Sequence, residues 1–522
     1  MTRHLVVREP ALNRSLDPLT ILEGRSQRGP LVLEADVVIV GSGAGGAVIA
    51  RALAAAGESV VVVEEGPYVA PLEHGALRPS QSLRRYWRGG GMTVAFGHGG
   101  PSINVTMGRA VGGSSLLTGG VCFRIPEHVL ERWQEERGLH EFSTASLERF
   151  YREVETRVHV ESVPESMRSR GVNKFAEGAR VLGFDVKPMR RNTIDCNGCG
   201  RCNFGCPEGA KLSVEQSLLP EAVALGARIV SDALVSRVLM RGSRAVGVEG
   251  QLYNGPNGKP GDRFEIRAKK RVVLAAGAVH TPLLLWKSDL EGISGQVGRN
   301  LTVHPAFRVI ARFEESIENW KGSLQSVFVD AFEHEKITLN ALMIPPAVIA
   351  ATMPGIGPVH VNSAKALSNL AIFGGLIHDE GGGRVVRSPI GREPLFFYKM
   401  APEDRRVIPR LVETMVETYF AAGAKEVFLP VLGAPGMDRD AYRRFDVGAV
   451  PNARIECSSQ HPLGSCRMGM TREHSVVNPE GKLWDAQNVW IADGSIVPTS
   501  LGVNPQLAIM TLATRIAHTM TG

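Results

Sequence analysis

The 522 residues are 43% hydrophobic and 21% charged, an ordinary globular balance in a chain long enough for more than one hydrophobic core. Basic residues number 59 and acidic ones 53, and the net charge of +6 is spread without any dense Lys/Arg tract. That excludes a nucleic-acid-binding stripe and leaves a surface suited at most to an anionic partner or membrane face.

The opening MTRHLVVREPALNRSLDPLT carries charges throughout and lacks the apolar core of a signal peptide. Residues 1–34 therefore read as a polar leader lying on the surface, and a cytoplasmic protein is expected. Peripheral membrane association is compatible with the basic surface, but no run of 18 clean apolar residues offers a transmembrane segment.

Val37–Val40 is a purely apolar run, as in a buried parallel strand, and it ends in Gly41, Gly43 and Gly46. In this G-x-G-x-x-G spacing the first glycine permits a tight turn, the second the approach of a pyrophosphate, and the third close helix–strand packing. A helix over 47–56 stops at Gly57. A strand over 59–63 then delivers Glu64, placed to accept from ribose hydroxyls. Strand, glycines, helix, strand and acid together make a dinucleotide-binding unit.

Further on, Gly112, Gly113, Ser114 and Ser115 offer consecutive backbone N–H groups and two hydroxyls to a phosphate or flavin. An amphipathic helix follows over 143–158. Ser213 and Gln216 read as a capping box, and Gly226 closes the helix they begin. Strands at 228–230, 246–251 and 264–267 come in hairpin-like order, and another at 272–276 returns to the nucleotide-binding unit. In 337–364 the prolines 345, 346, 354 and 358 break any helix, so a strand plus loop, or an apolar lid over a hydrophobic substrate, is expected. From 301 to 455 strands alternate with turns, among them the glycines 381–383, and one long helix covers them near 402–422. A buried strand over 488–492 ends at Asp493-Gly494, and a helix over 505–520 closes the chain.

The fold class is thus α/β, with a discontinuous Rossmann-type domain and a substrate domain of antiparallel sheet with helical cover. Its divisions are 1–34, 35–300 with a Cys-rich insertion at 195–211, 301–455, and a return to the first domain over 456–522.

In SSQHPLGSCRMG, His461 is the side chain best suited to proton transfer near neutral pH. Asn504 is a good helix N-cap and Pro505 suits the first helical position. The helix they open presents about half a positive charge to whatever lies before it.

Together these stretches resemble the glucose–methanol–choline (GMC) flavin oxidoreductases, from Asp36 to the C-terminal helix. The resemblance implies FAD, held through Gly41, Gly43, Gly46 and Glu64, with Gly112 to Ser115 packed beside the flavin. The stretches GAVHTPLLLWKS and VGRNLTVHP resemble two further segments of the family. It also implies that His461, in H-P-x-G-x-C, is the base and Asn504 its partner, with Asp493, Gly494 and Pro505 near the flavin. Two departures stand out: Thr118 replaces a common Asn, and Ser288-Asp289 replaces Ser-Gly. The implied activity is oxidation of a primary or secondary alcohol, apolar or sterol-like among the options, by hydride transfer to flavin N5. A cyanohydrin-type lyase with structural FAD, or a subunit relaying electrons to a protein or quinone, are the alternatives.

One feature lies outside that pattern. Cys196, Cys199, Cys202 and Cys206 with Pro207 form C-x₂-C-x₂-C-x₃-C-P, the bacterial ferredoxin spacing. Three or four of them could hold an iron–sulfur cluster. Zinc and bare thiols stay open, whereas disulfides are disfavoured in a cytosolic chain.

Overall fold

The structure is a computed structural model that describes residues 16–253, 258–343, 345–354 and 357–521. Most of the leader, residues 1–15, lies outside the described residues. From Ile21 onward the leader is not a surface appendage. Strand Ile21–Glu23 pairs in parallel with Arg228–Ser231, and the central strand already begins at Leu31. Leu31–Val40 extends past the apolar run because its first half alternates exposed and buried residues while its second half is buried on both faces.

Around it lies a sheet of eight described strands. On one side come Val60–Val63, Arg228–Ser231 and Ile21–Glu23, all parallel. On the other comes Pro260–Leu274, followed by the antiparallel strands Arg244–Tyr253 and Ala233–Arg241, while Val489–Ile491 pairs in parallel with its last residues. The two strands expected at 264–267 and 272–276 are one strand of 15 residues. Nothing between them is a turn former, and a register shift between Ala268 and Arg271 absorbs the change of pairing without breaking the strand. Helix Ala44–Ala55 packs on this sheet, and the C-terminal helix Gln506–Thr521 packs on it in turn.

A second, mostly antiparallel sheet of twelve described strands holds a separate core. It is not confined to 301–455. Val94–His98, Ile103–Val105, Lys187–Pro188 and Ser458–Ser459 also join it. Helices Arg170–Val181 and Pro402–Ala421 cover strands Ala306–Arg312 and Leu370–Ile377. Burial of Ile408, Leu411, Val412, Met415, Val416 and Tyr419 along the second helix fits one apolar face repeating every three to four residues.

Three local expectations need correction. The prolines of 337–364 do not exclude helix: after strand Ile337–Ala341, they start Pro346–Thr352 and Pro358–Lys365. In a first turn a missing N–H costs no bond, so proline is tolerated there. Glycines 381–383 are not a turn, since Gly382 begins strand Gly382–Val386. A Cβ on Gly383 would stand 2.6 Å from the carbonyl oxygen of Phe397 on the neighbouring strand. The capping box at Ser213 is not formed either. Ser213 Oγ donates to the Glu215 carboxylate, a 3₁₀ turn occupies Val214–Gln216, and the helix starts at Leu218.

Candidate active site

One cavity of about 570 Å³ collects most of the residues singled out by sequence. Gly41, Gly43, Glu64, Gly113, Ser114, Ser115, His461, Asp493, Gly494, Asn504 and Pro505 all line it, while Gly46 and Gly112 do not and are each next in sequence to a lining glycine, Gly45 and Gly113.

The glycine turn is built by the absence of atoms. Gly41 has φ +100°, and a Cβ there would stand 2.2 Å from the carbonyl oxygen of Ala275. A Cβ on Gly46 would stand 2.0 Å from the carbonyl oxygen of Gly41. Gly43 differs, because its Cβ would meet nothing nearer than Gly113 Cα at 3.9 Å, so it leaves room for a ligand rather than for the protein. Sequence reasoning missed Gly45, whose Cβ would collide with the Ala492 carbonyl where the strand Val489–Ile491 ends.

Glu64, buried at the end of Val60–Val63, accepts from Ser42 N–H at 3.1 Å, Ser42 Oγ at 2.7 Å and Gly66 N–H at 2.9 Å. Burial pushes its carboxyl above the usual range, and these three donors oppose that. Gly112 N–H donates to Ser42 Oγ at 3.0 Å, so one serine joins the acid to the second glycine loop. Only the strand, turn and strand in register could have pointed to Ser42.

The GGSS loop departs from expectation in its hydroxyls. Ser115 Oγ donates to Gly112 O and accepts from Val214 N–H, while Ser114 Oγ accepts from Gly108 N–H. Both hydroxyls serve the loop, and what faces the cavity is a compact turn carried by Gly112 at φ +96° and Gly113 at φ +56°. Lys211, fully buried and unflagged by its sequence context, clamps that turn. Its Nζ donates to the carbonyls of Ser115, Leu116, Thr118 and Cys202 at 2.6–3.2 Å. Burial holds its amine below the ordinary lysine range. Thr118 spends its hydroxyl on Gln506 Oε1 and Ser115 O.

Asp493 is likewise occupied by protein. It accepts from Gly277 N–H, Thr281 Oγ1 and Ser495 N–H, which ties helix Gly277–Lys287 to the turn Gly494–Ile496.

His461 and Asn504 meet across 43 residues of sequence, with Asn504 Nδ2 3.2 Å from His461 Nε2. Asn504 thus uses both ends of its amide on remote partners, His461 and Asn340. Asn340 Nδ2 lies 3.5 Å from Asn504 Oδ1, which orients the amide with its nitrogen toward the imidazole. His461 N–H donates to Ser459 Oγ at 3.0 Å, fixing the main chain. Its ring stands against that of His304, 5.3 Å between centroids. Burial first, and His304 second, hold His461 well below the ordinary histidine range, so it is neutral at pH 7. His304 Nε2 accepts from the N–H groups of Leu501 and Gly502, which requires an unprotonated Nε2, and burial lowers its pKa to about 3. Behind it Asp379 accepts from Val303 and His304 N–H, Tyr398 OH and Ser500 Oγ. Neither His304 nor Asp379 was singled out as functional by sequence.

The cysteine run behaves differently. Among the described residues no group of three or more His, Cys, Asp or Glu is arranged to hold a metal ion. All seven cysteines are free thiols; Cys199 is exposed, Cys196 half-buried, and Cys202 and Cys206 buried. Cys202 Sγ lies 3.1 Å from Arg191 Nη2, and Cys206 Sγ accepts from Lys211 N–H at 3.4 Å. The iron–sulfur expectation thus finds no assembled ligand set among the described residues, although Cys199 lies within electrostatic reach of Cys196, Cys202 and Cys206. The loop reaches the cavity through Asn203 and Phe204 instead.

The FAD implied by the resemblance fits this cavity on two observations: the open space over Gly43 and a neutral, half-buried imidazole in the same wall. Known proteins agree. Sequence models of the GMC oxidoreductase family match residues 35–306 and 392–513. The uncharacterized GMC-type oxidoreductase Rv0492c of Mycobacterium tuberculosis is 37% identical, over 94% of this chain and 76% of its own length. Long-chain-alcohol oxidase FAO4B of Arabidopsis thaliana is 29% identical, over 92% of this chain and 66% of its own. Among solved structures, pyridoxine 4-oxidase from Mesorbium loti superposes with a TM-score of 0.68 at 18% identity, covering 93% of this chain and 98% of that one. The α/β architecture, the glycine cradle and these likenesses converge: the chain belongs to the GMC oxidoreductase family and is an FAD-dependent alcohol oxidoreductase.

Proposed function

We propose that the enzyme oxidises the carbinol of an apolar primary or secondary alcohol, with His461 as the base and Asn504 as the residue that holds the reacting oxygen. The observation carrying this reading is the 3.2 Å pairing of Asn504 Nδ2 with His461 Nε2 in the wall of the cavity. The FAD supplies the hydride acceptor when bound, through the glycine turn, Glu64 and the Gly112–Ser115 loop. A neutral Nε2 accepts the hydroxyl proton of the alcohol. For that transfer the alcohol oxygen takes the place of Nε2 as the acceptor of the Asn504 Nδ2 hydrogen, which frees the Nε2 lone pair for the hydroxyl proton, and Asn340 keeps the amide from turning over.

The substrate class follows from the remaining wall. Phe307, Leu324, Leu342, Met343, Val348 and Leu376 present apolar surface, and an apolar chain gains by leaving water for such a wall. The long-chain-alcohol oxidase relatives support the same class. Stoppered anaerobic mixing with long-chain and sterol alcohols, followed at the flavin band, tests the reading. Bleaching by an apolar alcohol is expected, and a flavin that stays oxidised with every alcohol would support the lyase alternative instead.

A further inference from the structure

The second sheet carries an outward face that the oxidation chemistry does not use. In strand Val94–His98, Val94 and Phe96 are exposed while Ala95 is buried, and in Leu395–Lys399, Phe397 and Lys399 are exposed while Phe396 and Tyr398 are buried. The register sets Phe96 beside Phe397 and His98 beside Lys399, and the two phenyl rings lie 5.6 Å apart. On the next strand Arg384 stands opposite Phe397, and on the strand after that Arg299 stands opposite Arg384. Side chains opposite one another share a face, so two aromatic rings sit in one row with two arginines, and Lys399 lies beside them.

The charge on this face is one-sided. Strands Val94–His98, Gly382–Val386, Leu395–Lys399 and Arg299–Leu301 contain no Asp or Glu. None of Arg299, Arg384 and Lys399 forms an ion pair with a described residue, unlike other surface cations such as Arg132 with Glu380 and Arg410 with Glu335. Phe96 is 49% exposed, Phe397 44%, and Met92, just before the strand, 83%. Aromatic groups ringed by unpaired cations match the boundary of a bilayer, where rings enter the headgroup layer and cations meet lipid phosphates.

We propose that this face docks on an anionic membrane surface. Its position suits an enzyme taking an apolar alcohol out of a bilayer. Asn104, opposite Val94 in the ladder, and Gly91, next to Met92, both line the active-site cavity. The docking itself does not depend on which alcohol is oxidised, and it is read without any turnover.

The test is sedimentation of the FAD-loaded protein with vesicles of phosphatidylcholine and phosphatidylglycerol in equal parts, against vesicles of phosphatidylcholine alone. Binding to the anionic vesicles is expected at low salt and falls as salt rises. The triple variant R299E/R384E/K399E should bind roughly a hundredfold more weakly, and F96S/F397S should also bind more weakly. FAD content and melting temperature report that each variant is folded. Equal binding to the neutral vesicles, no binding of the parent protein to either, or undiminished binding by the folded triple variant would each overturn the proposal. Retention of an acidic protein by this face without any vesicle binding would assign it to a protein partner and equally overturn it.

Discussion

The glycine turn at 41–46 and the cysteine run at 196–206 both read in sequence as ligand cradles, yet only the first closes on a cavity. The difference lies in what each site is made of. A glycine cradle works through missing atoms and backbone conformation, and Gly41, Gly45 and Gly46 are each required by a carbonyl within 2.2 Å of where a Cβ would stand. A thiolate cluster needs four side chains aimed at one point. Here Cys202 Sγ accepts from Arg191 and Cys206 Sγ from the main chain of Lys211, and among the described residues the four thiols, though within electrostatic reach of one another, are not arranged as a metal site.

The sharpest way to break the comparison is at the glycines themselves. Gly46→Val should abolish folding, since the obstructing atom is backbone. Gly43→Val should fold, because its Cβ has 3.9 Å of clearance, but purify with little FAD. FAD content and melting temperature, measured together, separate the two effects. Full FAD occupancy in folded Gly43→Val would mean that the space over Gly43 is not where the cofactor lies.

Next in size is the base. His461→Ala should slow flavin reduction by about 10²–10⁴-fold with FAD still bound. The histidine is depressed well below its ordinary range, and the form proposed to act as the base is the neutral one. Reduction by alcohol should therefore be flat through neutral pH and fall only on acidification past that lowered value. A rate still climbing between neutral and alkaline pH would show that some other group accepts the proton.

A smaller effect tests the clamp that joins the two regions. Lys211→Met removes the donor shared by four carbonyls, of which Ser115 O keeps Thr118 Oγ1, and should cost at least about 1–3 kcal/mol of stability in denaturant titration. The smallest concerns the cysteines. Cys196→Ser with Cys199→Ser should leave FAD content and flavin reduction at parent values, and iron and sulfide analysis of anaerobically purified protein decides whether the run holds a cluster. One cluster's worth of both, lost in the double variant, would place the cysteine run alongside the glycine turn as a true cradle.

Sequence pattern captured the elements whose cause is local. The apolar run, the glycine spacing and the acid at 64 lie within one stretch, and the helices near 144–157, 402–421 and 506–521 follow their own periodicity. Where it failed, a competing partner was remote or a residue had two uses. Prolines 346 and 358 start helices rather than end them, and Ser213 prefers Glu215 to a cap. Asn504 reads in sequence as a cap, and its side chain meets His461 and Asn340, 43 and 164 residues away along the chain.

By itself, then, the sequence pointed to FAD and to the stretch proposed to cradle it, because tight turns and close approaches are written in the residues that lack a side chain. It also named His461, through the motif around it. Only the tertiary structure decided that Asn340 orients Asn504 and that His304 stands neutral against His461. It alone brought Lys211 beneath the GGSS loop and Arg191 against Cys202. Those outcomes depend on the direction of side chains carried by separate strands and loops. A one-dimensional spacing holds no such information, since direction is set by packing, burial and hydrogen-bond satisfaction across the whole fold.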